Sequence, residues 1–60
     1  MKIKVTNMTC QHCVRTIQMA LIKHKIIADI QLENQLVDVK SDVLESKVKT
    51  IIHEAGYETA

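Results

Sequence analysis

Residues 28–40 read ADIQLENQLVDVK, and apolar side chains alternate with polar ones on both sides of a central polar turn. Such alternation over about four to eight residues is typical of a half-buried β-strand. We therefore predict a β-hairpin with one strand from Ala28, a turn over residues 33–35 and a return strand through Val39. Within the turn, Asn34 is the residue best suited to a positive φ angle.

Apolar residues recur at steps of three and four on either side of this hairpin, which is the period of an α-helix. We predict a first helix from Cys13, capped by Thr9 or Cys10. A second helix follows the hairpin, with Ser41-Asp42 capping its start and Gly56 at its end. The apolar residues of the first helix are Val14, Ile17, Ala20 and Leu21, and those of the second are Leu44, Val48, Ile51, Ile52 and Ala55.

The two ends of the chain supply the remaining strands of this prediction. Residues 2–6 alternate, whereas residues 57–60 have room for only a short final strand. The order β-α-β-β-α-β is the ferredoxin-like pattern, an α+β sandwich whose four-stranded antiparallel sheet carries both helices on one face. We expect one domain over residues 1–60. The predicted core consists of Ile3, Val5, Ile17, Leu21, Ile30, Leu32, Val37, Val39, Val48 and Ile52.

The composition argues against several classes of function. Of the 60 residues, 47% are hydrophobic and 25% are charged, as in an ordinary globular domain. The net charge is +1, no basic stripe is visible and Tyr57 is the only aromatic residue, so we expect no nucleic-acid binding. No segment has the apolar length of a membrane span or the pattern of a signal peptide. We therefore expect a cytoplasmic protein without membrane insertion.

The candidate chemistry lies in Cys10-Gln11-His12-Cys13, at the predicted junction of the first strand and the first helix. The partial positive charge of a helix N-terminus favours thiolates, and thiolates select soft ions such as Cu(I). A structural zinc site takes about four ligands, whereas Cu(I), Ag(I) and Hg(II) accept fewer. Because the expected compartment is reducing, this pair indicates a metal site or a redox dithiol rather than a structural disulfide.

The longer string Asn7-Met8-Thr9-Cys10-Gln11-His12-Cys13-Val14 resembles the M-T/S-C-x-x-C motif of the heavy-metal-associated domain family, and most closely its bacterial copper chaperones of the CopZ type. The resemblance extends over essentially the whole chain, including Val37-Asp38-Val39 and Ala55-Gly56-Tyr57. One departure is Asn7, which stands where the family prefers Gly.

This resemblance implies a role for each residue of the motif. Cys10 and Cys13 correspond to the Cu(I) ligands of the family, and Met8 corresponds to a buried methionine that anchors the loop without binding the ion. His12 matches a histidine found between the cysteines of several bacterial chaperones. Tyr57 matches an aromatic residue beside the metal loop. The implied partners are a copper-transporting P-type ATPase or its amino-terminal metal-binding domain and, for some members, a copper-responsive repressor.

We therefore interpret the chain as a Cu(I) metallochaperone that passes its ion on by thiolate exchange. It is not expected to be an enzyme, because no nucleophile, base and orienting group can be identified together. The alternatives are a metal-binding domain of a heavy-metal P-type ATPase, a carrier of Hg(II), and a thiol–disulfide oxidoreductase. His12 is either a bystander that tunes the site or a third ligand, and Tyr57 either shields the site or packs the end of the sheet. We expect a monomer in the metal-free state, and the sequence does not decide whether a shared metal ion bridges two chains into a dimer.

Overall fold

The computed structural model describes residues 1–60 and shows an α+β fold in which two helices accompany an antiparallel sheet. The hairpin and both helices predicted from the periodicities are confirmed, with small changes at their ends. The elements in chain order are β1 (Lys2–Lys4), α1 (Gln11–Lys23), β2 (Ala28–Gln31), β3 (Leu36–Val39) and α2 (Glu45–Glu54). Neither helix is long and apolar enough to cross a membrane.

The sheet has the strand order β1-β3-β2, with both pairings antiparallel. In the hairpin, Ile30 pairs with Val37, so both face the helices. We predicted a positive φ angle at Asn34, but the residue of the turn that adopts it is Gln35, with a φ of 53°. Asn34 instead donates a side-chain hydrogen bond to Gln31 at 2.9 Å.

The prediction of a four-stranded sheet is wrong, because residues 57–60 form a single bridge between Val5 and Thr59 and no strand. The first two N–H groups of this segment donate to acceptors other than the backbone of the strand region around Val5. Tyr57 donates to the Ile52 carbonyl at 3.2 Å, and Glu58 donates to the side chain of Asn7 at 2.8 Å. With those donors engaged, the segment lies along β1 but does not extend the ladder.

The N-terminus of each helix lacks a side-chain cap. Cys10 occupies the cap position of α1, as one of the two alternatives predicted, although its side chain makes no capping hydrogen bond. Leu44 occupies the cap position of α2, so the prediction that Ser41-Asp42 caps this helix is wrong. The Ser41 hydroxyl instead accepts the N–H of Ile27 at 2.8 Å, which joins the start of β2 to the end of β3.

The C-terminus of α2 has the predicted glycine. Gly56, with a φ of 99°, follows the last helical residues and donates its N–H to His53 at 3.0 Å. Tyr57 donates to Ile52 at 3.2 Å. These two bonds form a Schellman motif, which requires a left-handed residue where Gly56 lies. The motif turns the chain so that Tyr57 leaves the helix toward the start of α1.

The C-terminus of α1 forms the same motif without a glycine. Lys25 has a φ of 59° and donates to Ile22 at 2.8 Å, while Ile26 donates to Leu21 at 2.9 Å. Because an L-residue is strained in this region, the motif is made here at an energetic cost.

The core lies between the sheet and the helices. Eight of the ten predicted core residues are buried; the other two, Ile30 on the edge strand β2 and Leu32 in the hairpin turn, are half-buried. Four further residues join the buried cluster: Met8, Cys13, Ile26 and Ile51. Two of these four, Met8 and Cys13, belong to the motif that precedes and opens α1, so the candidate site is built directly onto the core.

Candidate metal centre

The two cysteine sulfurs converge at the start of α1. The Sγ atoms of Cys10 and Cys13 are 3.2 Å apart. Cys10 is extended (φ −153°, ψ 168°), and its carbonyl accepts the N–H of Val14 at 3.2 Å, which begins the helix. A residue at the cap and another in the first turn share one side of the helix, which is why the two-residue spacing brings the thiols together.

The two cysteines differ sharply in exposure. Cys10 is exposed, whereas Cys13 is 9% exposed and is part of the hydrophobic core cluster. The pair therefore has one member packed in the core and one member that other molecules can reach.

Hydrogen bonds lower the pKa of the Cys13 thiol to about 6. The hydroxyl of Tyr57 makes the largest contribution, followed by the backbone of Thr9 and the side chain of Cys10, while burial opposes the change. The pKa of Tyr57 is raised in turn, chiefly because its hydroxyl donates to Cys13. Hydrogen bonds to a thiolate favour the charged form, so Cys13 is ionised at neutral pH.

The Met8 side chain is fully buried and packs in the core cluster under the loop. Its N–H donates weakly to the carbonyl of Val5 at 3.4 Å, and its carbonyl accepts from Gln35. The side chain of Met8 therefore joins the segment before Cys10 to the core.

Two side chains that sequence reasoning did not assign to the site connect the loop to other parts of the chain. The Gln35 amide donates to the carbonyls of Thr6 and Met8, each at 3.1 Å. Asn7 accepts the N–H of Glu58 at 2.8 Å. The departure of Asn7 from the glycine of the family was a sequence signal for its role. No local pattern indicated Gln35, which lies 27 residues from Met8.

His12 is exposed on the first turn of α1. Its carbonyl accepts the hydroxyl of Thr16 at 2.9 Å, an ordinary bond within a helix. No group of three or more His, Cys, Asp or Glu side chains is gathered anywhere in the structure. His12 is therefore not brought together with the two cysteines in this conformation.

Paired thiols at the junction of β1 and α1, on a sheet covered by two helices, define a class of small metal-binding domains. The heavy-metal-associated domain matches this sequence over residues 2–58, and the chain belongs to that family. A comparison with curated proteins gives no match.

Solved structures support the same assignment. The chain is similar to a CopZ metallochaperone, with 32% identity, a TM-score of 0.90, and coverage of 100% of this chain and 97% of that one. It is similar to a copper-binding domain from HMA7, a P-type ATPase, with 31% identity, a TM-score of 0.88, and coverage of 98% and 86%. The copper chaperone Atx1 from Synechocystis PCC6803 shares the fold, with 21% identity, a TM-score of 0.91, and coverage of 100% and 98%. These structures are metallochaperones and metal-binding domains, not enzymes.

Proposed function

We propose that this protein is a metallochaperone that carries one Cu(I) ion on the sulfurs of Cys10 and Cys13. The observation that carries the proposal is the pair itself: two sulfurs 3.2 Å apart, one in the core and the other exposed. The likeness to a CopZ metallochaperone and to a copper-binding domain of an ATPase, each above 30% identity, supports copper as the cargo.

The donor set favours a soft ion of low coordination number. Thiolates are soft ligands, and the structure gathers no further His, Cys, Asp or Glu into a group of three that would complete a zinc site. Ag(I) and Hg(II) have the same preferences and are expected to bind the same sulfurs. In a near-linear site the ion lies between the two sulfurs, which must then be farther apart than the present 3.2 Å, so the exposed Cys10 side chain rotates outward when the ion enters.

The difference in exposure sets an order for transfer. An incoming thiolate from the partner adds to the ion and gives a three-coordinate intermediate. The bond to exposed Cys10 then breaks, a second partner thiolate replaces Cys13, and the ion leaves. Copper stays in the Cu(I) state throughout, so no electron is transferred. Each thiolate of this chain is free to take up a proton when its bond to the metal is broken.

The partner that fits this exchange is a similar two-cysteine domain, such as the amino-terminal domain of a copper-transporting P-type ATPase. A copper-responsive repressor is a second class of acceptor with the same ligand chemistry. A second candidate function follows from the likeness to the HMA7 domain: the chain acts as the metal-binding domain of such an ATPase. In either role the chain presents its ion in the cytoplasm and performs no catalytic turnover.

An anaerobic Cu(I) titration against a competing chelator, with Zn(II) in parallel, tests the proposal. We expect one Cu(I) ion per chain for the wild type and for His12→Ala, which keeps both sulfurs. We expect weak binding by Cys10→Ser and Cys13→Ser. Tight Cu(I) binding by either serine variant contradicts the ligand assignment. Turnover of a disulfide substrate by the wild type supports the oxidoreductase instead.

A further inference from the structure

Gln35 adopts a backbone conformation that its residue type does not favour. Only two residues other than glycine have a positive φ, Lys25 at 59° and Gln35 at 53°. Glycine is the default residue for this region, because an L side chain is strained there. Strained residues of this kind are concentrated at functional sites, where the strain is retained for a specific contact.

The side chain of Gln35 makes such contacts. Both hydrogens of its amide nitrogen are directed to carbonyls of the metal loop, Thr6 at 3.1 Å and Met8 at 3.1 Å. The backbone carbonyl of Gln35 accepts the N–H of Val5 at 2.8 Å. The hairpin turn is therefore hydrogen-bonded to three residues, Val5, Thr6 and Met8, of the segment that leads from β1 into the cysteine motif. A glycine would suit the backbone better, but it could not make the two amide bonds.

Asn7 makes the corresponding contact on the other side of the loop. Its side-chain oxygen accepts the N–H of Glu58 at 2.8 Å, and the adjacent Thr6 donates to the Glu58 carbonyl at 3.0 Å. Glu58 follows Tyr57, whose hydroxyl lowers the pKa of the Cys13 thiol. The loop is thus held between the hairpin turn and the segment that carries the tyrosine.

We propose that Gln35 and Asn7 are positioning residues that hold the metal loop in its binding conformation before the ion arrives. This inference rests on the proposed function. A loop whose backbone is already ordered loses less conformational freedom on binding, so the ion is held more tightly. Side chains that orient metal ligands commonly change metal affinity by about 10-fold to 100-fold when they are removed.

Gln35→Gly separates positioning from folding. Glycine relieves the backbone strain at position 35 and deletes the amide bonds, while the backbone carbonyl that accepts from Val5 is kept. We expect Gln35→Gly to retain Cu(I) about 10-fold less well against the chelator, with an apo unfolding temperature equal to or above that of the wild type. Gln35→Glu, which turns an acceptor toward the two carbonyls, and Asn7→Ala are expected to show a loss of similar size. Lys25→Gly is the matched control: the same backbone relief at an exposed side chain, with unchanged retention.

A second readout does not depend on copper. In the metal-free Cys10→Ser background, we expect Gln35→Gly to increase the alkylation rate of buried Cys13 about 10-fold, because a released loop opens the core more often. Equal retention and equal alkylation in Gln35→Gly and the wild type overturn the inference. A parallel loss of retention and of unfolding temperature also overturns it, since Gln35 would then only support the fold. If the wild type binds no Cu(I), the proposed function fails, and the alkylation rates still decide the role of Gln35.

Discussion

The two ends of helix α1 are held in place by different kinds of contact. Its N-terminal end carries the metal loop, where side chains of Asn7 and Gln35 bind the backbone and Met8 plugs the core. At its C-terminal end, about 20 Å away, backbone hydrogen bonds around Lys25 form the turn. The neighbouring Ile27 is 70% exposed. Specific side-chain contacts are therefore concentrated where the cysteines lie.

This difference teaches which positions can change without loss of the proposed function. At the C-terminal end, backbone bonds specify the turn, and the side chains of Lys25 and Ile27 are exposed. At the metal-loop end, the conformation depends on side chains that come from the hairpin and from the segment after α2. Substitutions of equal chemical size should therefore have unequal effects at the two ends.

The largest effect is expected at the cysteines themselves. Cys10→Ser or Cys13→Ser removes one of two thiolates, and a hydroxyl is a poor ligand for a soft ion. We expect Cu(I) affinity to fall by at least about 1000-fold, or about 4 kcal/mol, as measured by chelator competition. Lys25→Ser at the far end should leave the affinity unchanged. A loss of less than about 10-fold in a cysteine variant would mean that another group binds the ion.

The next largest effect concerns stability. Met8→Ala removes a fully buried side chain, and such changes cost about 2–5 kcal/mol. Ile27→Ala at the other end removes a side chain that is 70% exposed, and we expect a change within about 0.5 kcal/mol. Urea unfolding of the metal-free proteins measures both values. Similar losses in the two variants would contradict the contrast between the ends of α1.

A smaller effect is expected from the hydroxyl of Tyr57. Because hydrogen bonding holds the pKa of Cys13 at about 6, thiolate absorbance should titrate near that pH in metal-free protein. Tyr57→Phe keeps the ring but removes the largest contribution, so the titration should move toward the ordinary cysteine pKa of about 8.5. A midpoint that is unchanged in Tyr57→Phe would show that the tyrosine does not act on this sulfur.

The same pKa makes stability depend on pH. The folded-state pKa of Cys13 lies below its unfolded value, so the thiolate stabilises the folded protein fully above about pH 8.5. This contribution is lost as the pH falls through about 6. The dependence should be weaker in Tyr57→Phe, as urea unfolding across this range will test.

The smallest effect is expected at the two Schellman motifs. Lys25→Gly removes strain at a φ of 59° and should stabilise the protein by about 0.5–1 kcal/mol. Gly56→Ala introduces strain at a φ of 99° and should destabilise it by about 1–2 kcal/mol. An added methyl group at Gly56 meets no atom within 4 Å, so the loss is due to the backbone alone. Thermal unfolding of the two variants should show shifts of opposite sign.

The sequence predicted the features that depend on local patterns. Alternation over residues 28–40 identified the hairpin, and the step of three to four identified both helices. The position of the cysteine motif at the start of α1 followed from the same reading. Gly56 was found at a helix end because glycine is the residue that a left-handed cap prefers.

The predictions that failed depend on contacts between distant residues. Asn34 prefers a left-handed conformation, yet Gln35 adopts it, and the Gln35 amide bonds to carbonyls of the loop. Serine is a residue type that often caps helices, yet the Ser41 hydroxyl accepts a hydrogen bond from the N–H of Ile27, 14 residues away. Glu58 is engaged by Asn7, which interrupts the last strand. Local propensity cannot anticipate an acceptor that only the folded chain supplies.

The position of Tyr57 gives this protein a built-in optical reporter. Tyr57 is the only aromatic residue of the chain, and its hydroxyl lowers the pKa of the Cys13 thiol. Its ultraviolet emission therefore comes from one known place, where the tyrosine influences a proposed ligand. Arrival of an ion, departure to an acceptor, or opening of the loop will each change that emission, so delivery can be followed in real time without a label.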